Sequence, residues 1–186
     1  MIPLDTLLEV AALKGLDRAG WVRRGVPCPE SVAAHSWGVG WLALVFAPPE
    51  LDRGRCLAYA ALHDLAEVRV GDLTPADRVP QAEKHRREAA AIHSLLASRP
   101  DLAALVAAYE AKADAEAQFV RQLDRLDMAV QALVYHRAGH AGMHEFVASA
   151  ARAIDHPALR PILDQIGVLT APAECPPMPG TPRRAE

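Results

Sequence analysis

Cysteine is scarce: Cys28, Cys56 and Cys175 are odd in number, irregularly spaced and free of any CxxC pairing. That excludes a disulfide framework and a zinc knuckle, and it suits a reducing compartment. No stretch approaches the roughly 18 uncharged apolar residues of a membrane span. The start of the chain (Met1, Ile2, Pro3, Leu4, Asp5) has neither the basic region nor the apolar core of a signal peptide, so a soluble, cytoplasmic protein is expected. Excess positive charge is missing too. The formal net charge is −3, which argues against a nucleic-acid backbone as main partner while leaving room for a local phosphate site. Long β-branched runs are also absent, and no internal repeat is apparent.

What the chain has is alanine, leucine and helical spacing. Its 186 residues, 51% of them hydrophobic, fit one domain with a sizeable core. Apolar residues recur at intervals of three and four, which predicts an all-α fold without strands. The expected helices cover about Pro3 to Leu13, Ser31 to Ala47, Arg53 to Val70, Gln81 to Ala97, Asp101 to Ala111, Ala115 to Arg137, Glu145 to Ile154 and Ala158 to Ile166. Ser31 and Asp52 are natural N-caps, and Pro48-Pro49 is a stop. The segment between Gly15 and Pro29 reads as irregular. The domain is expected to span 1–169, with a Pro-rich, frayed tail at 170–186.

His63 and Asp64 stand side by side in the segment from Arg53 to Val70, which is apolar around almost its whole circumference and therefore predicted to be central. Burying an imidazole and a carboxylate there without compensation costs several kcal/mol. A metal cation is the most economical compensation, since it accepts both donor types. His35 is the only ionisable side chain between Ser31 and Pro48. It is read as buried, either as a neutral core histidine or as a further ligand. Asp124 shares a face of its helix with positions 120, 127 and 131. An inward ligand and an ion pair with Arg121 or Arg125 are both open for it. Trp37 and Trp41, four apart on one helix, read as core.

The order His35, His63-Asp64, Asp124 resembles the H…HD…D pattern of the HD-domain phosphohydrolase superfamily. The surroundings narrow the resemblance. Gly20-Trp21-Val22, Pro29-Glu30-Ser31-Val32, Leu62-His63-Asp64-Leu65-Ala66-Glu67, Val70-Gly71-Asp72, Pro75-Ala76-Asp77, Glu83 through Glu88, and Ala115-Glu116-Ala117 through Asp124 are similar to 5'-deoxynucleotidases of the YfbR and HD-domain-containing type. The similarity spans about Leu13 to Tyr135, with a looser echo from Phe146-Val147 to His156-Pro157.

The resemblance implies a single HD-domain helical bundle that hydrolyses deoxyribonucleoside 5'-monophosphates with one divalent metal, usually as a homodimer. It implies His35, His63, Asp64 and Asp124 as ligands. Two nitrogens and two carboxylate oxygens suit Mn, Co, Fe or Zn better than Ca or a soft ion. Glu67, four residues after His63, is assigned to the attacking water, against a plain pairing with Arg69. Asp72, after Gly71, is assigned to the sugar hydroxyl or the leaving 5'-oxygen, against an Asx-turn that only shapes the loop. Asp77 is adequately explained as a turn cap. Arg18, Trp21 and Arg24 are candidates for phosphate and sugar or base, with Trp21 equally a packing residue and a candidate for rejecting the 2'-hydroxyl. Lys84 and His85 are candidate phosphate contacts in what is otherwise a solvated basic run. The remaining histidines, 93, 136, 140, 144 and 156, read as structural or surface. Two other readings stay open: another HD phosphohydrolase, acting on a cyclic nucleotide, a triphosphate or a non-nucleotide phosphate, and a non-catalytic, metal-stabilised binding domain.

Overall fold

Three N-caps start the three helices on which the candidate ligands depend. Ser31 Oγ accepts from the Ala34 amide at 3.2 Å and opens α3 (Val32–Phe46). Asp52 Oδ1 accepts from the Arg55 amide at 3.1 Å and opens α4 (Arg53–Leu62). Asp114 Oδ1 accepts from the Ala117 amide at 2.8 Å and opens α8 (Ala115–Arg137). Each satisfies one of the amides that a helix start leaves unpaired.

The computed structural model describes residues 2–171. Around these helices stand α1 (Leu4–Ala11), α2 (Ala19–Arg23), α5 (Glu67–Val70), α6 (Gln81–Leu95), α7 (Pro100–Glu110), α9 (His144–Ala153) and α10 (Arg160–Thr170), with short 3-10 turns at Ala12–Gly15 and Pro75–Asp77. No strand occurs among the described residues, so the fold is all-α. Among the described residues no helix is long and apolar enough to cross a membrane. The expected tail falls outside the described residues from 172 onward, whereas Thr170 is the buried last residue of α10.

α8 is the axis of the larger core. Its buried Val120, Leu123, Leu126 and Ala129 meet Val39 and Ala43 of α3, Tyr59 and Ala60 of α4, Val147 of α9 and Leu163 of α10. A smaller core gathers Leu13, Val32, Leu65, Ala66, Ile92, Leu95 and Val106. Val32 belongs to the small core and Val39 to the large one; Ala60 belongs to the large core and Leu65 to the small one. His35 and the His63-Asp64 pair therefore sit where two apolar bodies meet.

Two expectations are corrected here. The segment from Arg53 to Val70 is not one helix: α4 stops at Leu62, and the chain passes through a turn into the four-residue α5. His63 Nδ1 donates to the Ala60 carbonyl at 2.9 Å, the acceptor that the next turn of an α-helix would use. The backbone then tightens to three-residue spacing, with Leu65 N to Leu62 O at 3.1 Å and Glu67 N to Asp64 O at 3.0 Å. Trp37 and Trp41 are not core: they are 73% and 55% exposed. α3 is apolar on every side, so periodicity could not tell which face turns inward.

Asp114 also accepts from the buried Tyr59 hydroxyl at 2.7 Å and from Arg55 Nη2 at 2.6 Å, tying α4 to the start of α8. Burial alone would raise its pKa, but the Tyr59, Ala117 and Arg55 donors lower it. Its stabilising effect is therefore present above the ordinary aspartate pKa and lost as pH falls through the depressed value. Asp114→Ala removes a cap, worth about 0.5–2 kcal/mol, and strands a buried hydroxyl, worth about 1–3 kcal/mol. Urea unfolding at neutral pH is expected to show a loss of about 2–4 kcal/mol, and a loss below 1 kcal/mol would contradict this role.

Candidate metal centre

His35 comes from the second turn of α3, His63 and Asp64 from the turn after α4, and Asp124 from the middle of α8. The structure brings them together. His63 Nε2 lies 3.3 Å from His35 Nε2 and 3.1 Å from Asp64 Oδ2. His35 Nε2 lies 3.2 Å from Asp124 Oδ1 and 3.7 Å from Asp64 Oδ2. Donor atoms of His35, His63 and Asp64 all fall within 4.8 Å of one another, with Asp124 reaching the cluster through His35.

The far sides of the two imidazoles fix their tautomers. His63 Nδ1 faces the Ala60 carbonyl, which can only accept, so it carries a proton. His35 Nδ1 lies 2.7 Å from Asp127 Oδ2 and does the same. In the neutral rings both Nε2 atoms are therefore acceptors aimed at one spot, beside two carboxylates. Such a cluster calls for a positive charge. Without a metal, His35 supplies one: burial opposes its protonation, but hydrogen bonds to Asp124 and Asp127 raise its pKa well above the usual value. Burial would likewise raise Asp64 and Asp124, yet the two imidazoles hold both carboxylates far below the usual range, aided at Asp64 by Arg18 and at Asp124 by Arg125. The donor set fits a borderline divalent metal, which would replace that proton.

Glu67 opens α5 just beyond the turn that carries Asp64 and is 6% exposed. Its Oε2 finds no hydrogen-bond partner among the described residues. Burial, then the charges of Asp64 and Asp72, push its carboxyl up to about 10, against the pull of Arg18 and Lys84. A pairing with Arg69 is excluded, because Arg69 is bound to Glu9 at 2.6 Å on the outside of α1.

Arg18 Nη1 faces Asp64 Oδ2 at 3.3 Å and Asp72 Oδ1 at 3.8 Å. Asp72 Oδ2 accepts from the Ala19 amide at 2.8 Å, at the start of the short helix α2 that the glycine-rich segment forms. Lys84 Nζ lies 3.4 Å from the Leu73 carbonyl and 3.5 Å from Glu88. His85 lines a cleft of about 480 Å³ between α6 and α7, together with Ala66, Glu88, Ile92 and Val106, and this cleft reaches His63. Asp77 closes a capping box with Thr74 and pairs with Arg23, as turn chemistry suggested.

Two sequence candidates lie elsewhere. Trp21 is 2% exposed, packed on Tyr135 and Phe146, and its indole N–H donates to Glu30 at 2.8 Å. It offers no face to a substrate and cannot screen the 2'-hydroxyl by contact; an aromatic ring in a glycine-rich segment reads alike in either setting. Arg24 pairs with Glu145 of α9 and covers Phe146, away from the carboxylates of the centre.

Asp127 went unassigned in the sequence although it shares the face of Asp124. The three-residue spacing between them was the available signal.

The HD domain family profile matches residues 10–165. The 5'-deoxynucleotidase HDDC2 of Homo sapiens is 37% identical over 170 residues, covering 88% of this chain and 83% of its own length. The 5'-deoxynucleotidase hdd1 of Schizosaccharomyces pombe is 33% identical, covering 84% of each chain. The crystal structure of the PH0347 protein from Pyrococcus horikoshii superposes with a TM-score of 0.75 at 32% identity, covering 90% of this chain and 99% of that one. With the H…HD…D residues gathered at one centre and this similarity along nearly the whole chain, the protein belongs to the HD domain family of hydrolases.

Proposed function

We propose that the protein is a metal-dependent 5'-deoxynucleotidase, cleaving deoxyribonucleoside 5'-monophosphates to deoxynucleoside and phosphate. The observation that carries this reading is the pair of Nε2 atoms 3.3 Å apart, both rendered acceptors by what their Nδ1 atoms bind. The names of the human and yeast relatives support the substrate class. His35, His63, Asp64 and Asp124 would hold one divalent ion of the Mn, Co, Fe or Zn kind. Such an ion supplies Lewis-acid stabilisation of phosphoryl charge and acidifies water.

The chain's own residues do the rest. Glu67, ionised once a bound cation offsets the charges of Asp64 and Asp72, would take a proton from the attacking water as its oxygen bonds to phosphorus, and that proton, or one from solvent, completes the 5'-hydroxyl as the bond to the 5'-oxygen breaks. Arg18 stands beside Asp64 and offers its guanidinium to the phosphate, while Asp72 holds that arginine and the α2 amide in register and contacts the leaving side. Lys84 adds positive charge at the rim, and His85 faces the cleft that gives sugar and base their walls. A non-catalytic domain would gain nothing from Glu67, whose buried, unmatched carboxyl costs stability.

A homodimer and a cytoplasmic location belong to the same proposal. The exposed apolar face of α3 and α1, with Trp37, Trp41, Leu44, Leu4 and Leu8, supports the first, since patches of this kind mark association sites. Sedimentation equilibrium giving the monomer mass would remove the dimer, and cell fractionation tests the location.

The decisive assay is release of inorganic phosphate from a panel of ribo- and deoxyribonucleoside monophosphates with added Mn or Co. Release is expected from the deoxy series, with a base dependence of KM that reads the cleft. No release from any member at full metal occupancy overturns the proposal.

A further inference from the structure

The two ligand imidazoles are anchored differently on their far sides. His63 leans on a neutral carbonyl, Ala60 O at 2.9 Å. His35 leans on a carboxylate, Asp127 Oδ2 at 2.7 Å, and is itself wholly buried. Asp127 can come this close only because position 38, one turn along α3 from His35, is glycine. A Cβ built on Gly38 would overlap Asp127 Oδ1 and stand 2.9 Å from its Cγ. The glycine is inside a helix, where it costs roughly 0.5–1 kcal/mol against alanine, and its helical backbone has no positive φ to require it. Its place is explained by the carboxylate it admits.

Behind Asp127 the wall is closed. Glu30 stands with a carboxylate oxygen within 4.8 Å of the nearest donor atoms of His35 and Asp127, and it is held by the Trp21 indole N–H at 2.8 Å. Its backbone amide donates to the Tyr135 hydroxyl at 2.8 Å. The ring of Trp21, which the sequence offered as a substrate platform, thus belongs to the packing behind His35.

We infer that Asp127 is a positioning residue for the metal centre: admitted by Gly38, it holds His35 in the Nδ1–H tautomer and aims its Nε2 at the ion. A carboxylate in that place also makes the imidazole a stronger donor than a carbonyl does, which assigns the tighter of the two nitrogen contacts to His35. The inference rests on the reading of His35 as a ligand, and the experiment separates the two.

Chelator-stripped protein is titrated with Mn or Zn in competition with a chromogenic chelator, for wild type, Asp127→Asn and Gly38→Ala. Wild type is expected to bind one ion. Both variants are expected to bind it about 10–100-fold more weakly with far-UV circular dichroism close to wild type, and Asp127→Asn is expected to be somewhat less stable in chelator because it takes a charged acceptor from His35. Gly38→Ala matters because it touches no ligand and acts only by displacing Asp127. Equal affinity in wild type and in both folded variants overturns the role of Asp127 while leaving the metal centre standing. Loss of stability in chelator with unchanged affinity also overturns it, because a merely structural residue would behave so. No binding by wild type overturns the ligand reading itself. Should neither variant fold, nitrogen-15 NMR of the wild-type, Zn-loaded protein decides: a proton on His35 Nδ1 that exchanges slowly supports the inference, and a proton-free Nδ1 overturns it.

Discussion

Glu67→Gln is expected to lower kcat by about 10²–10⁴-fold, the range in which a general base contributes, while the protein keeps its metal. The same variant is expected to be more stable than wild type when both are stripped by chelator. Glu67 is buried with an unmatched oxygen, and burial with Asp64 and Asp72 pushes its carboxyl up to about 10 from an ordinary 4.5. An acid whose pKa is raised on folding binds its proton more tightly in the folded state, so stability falls as pH climbs above the unfolded value. Metal-free wild type should therefore lose stability between about 4.5 and about 10. Glutamine does not titrate, so the gap in favour of the variant opens over that window, reaching about 1–3 kcal/mol near neutrality. Phosphate-release kinetics and urea unfolding in chelator measure the two effects. A variant of normal rate would remove Glu67 from the chemistry. Equal pH dependence of unfolding would mean that its carboxyl is solvated.

Opposite signs on rate and stability mark a residue kept for its chemistry. The family resemblance, together with a spacing of four residues from His63, hinted at this for Glu67. The turn is not a regular helix, with the backbone tightened at Leu65 and Glu67, yet the glutamate still lies close enough to Asp64, Asp72 and Arg18 for their charges to act on its carboxyl. Helix α8 was legible from its alternation of apolar and charged positions, and it runs from Ala115 to Arg137 as the pattern predicts. α3 was legible as a helix but not in orientation: with Trp37, Val39, Trp41 and Leu42 all apolar, no periodicity separates the wall around His35 from the outer face. What the sequence hid was mostly second partners. Asp127 behind His35, the Ala60 carbonyl behind His63 and the Ala19 amide on Asp72 are contacts that depend on how elements fold back, and only the first involves a side chain that could draw attention. α2 was hidden for another reason: at five residues, one of them Gly20, it is too short to display a period.

Removing a ligand should separate metal binding from packing, and two substitutions do this together. His63→Ala leaves a cavity, strands the Ala60 carbonyl and takes the 3.1 Å partner from Asp64, leaving two carboxylates with fewer compensating groups. Metal affinity should collapse, and the chelated protein should lose about 2–4 kcal/mol, the sum of a modest cavity and an unmatched buried group. Asp64→Asn keeps the shape of the side chain and removes a negative charge from a crowded cluster. Affinity should collapse equally, and the chelated protein should lose stability near neutral pH, though less than with His63→Ala, because the carboxylate whose pKa is depressed in the fold stabilises it above the ordinary aspartate value and asparagine leaves His35 and Arg18 short of a partner. Wild type with the ion at 100 times its dissociation constant should gain about 2.7 kcal/mol, and neither variant should gain anything at that concentration. Calorimetric titration and thermal unfolding with and without Mn read all three quantities. If either variant binds as wild type does, the substituted residue is not a ligand; if Asp64→Asn falls as far as His63→Ala in chelator, the carboxylate is holding the seam between the two cores rather than waiting for an ion.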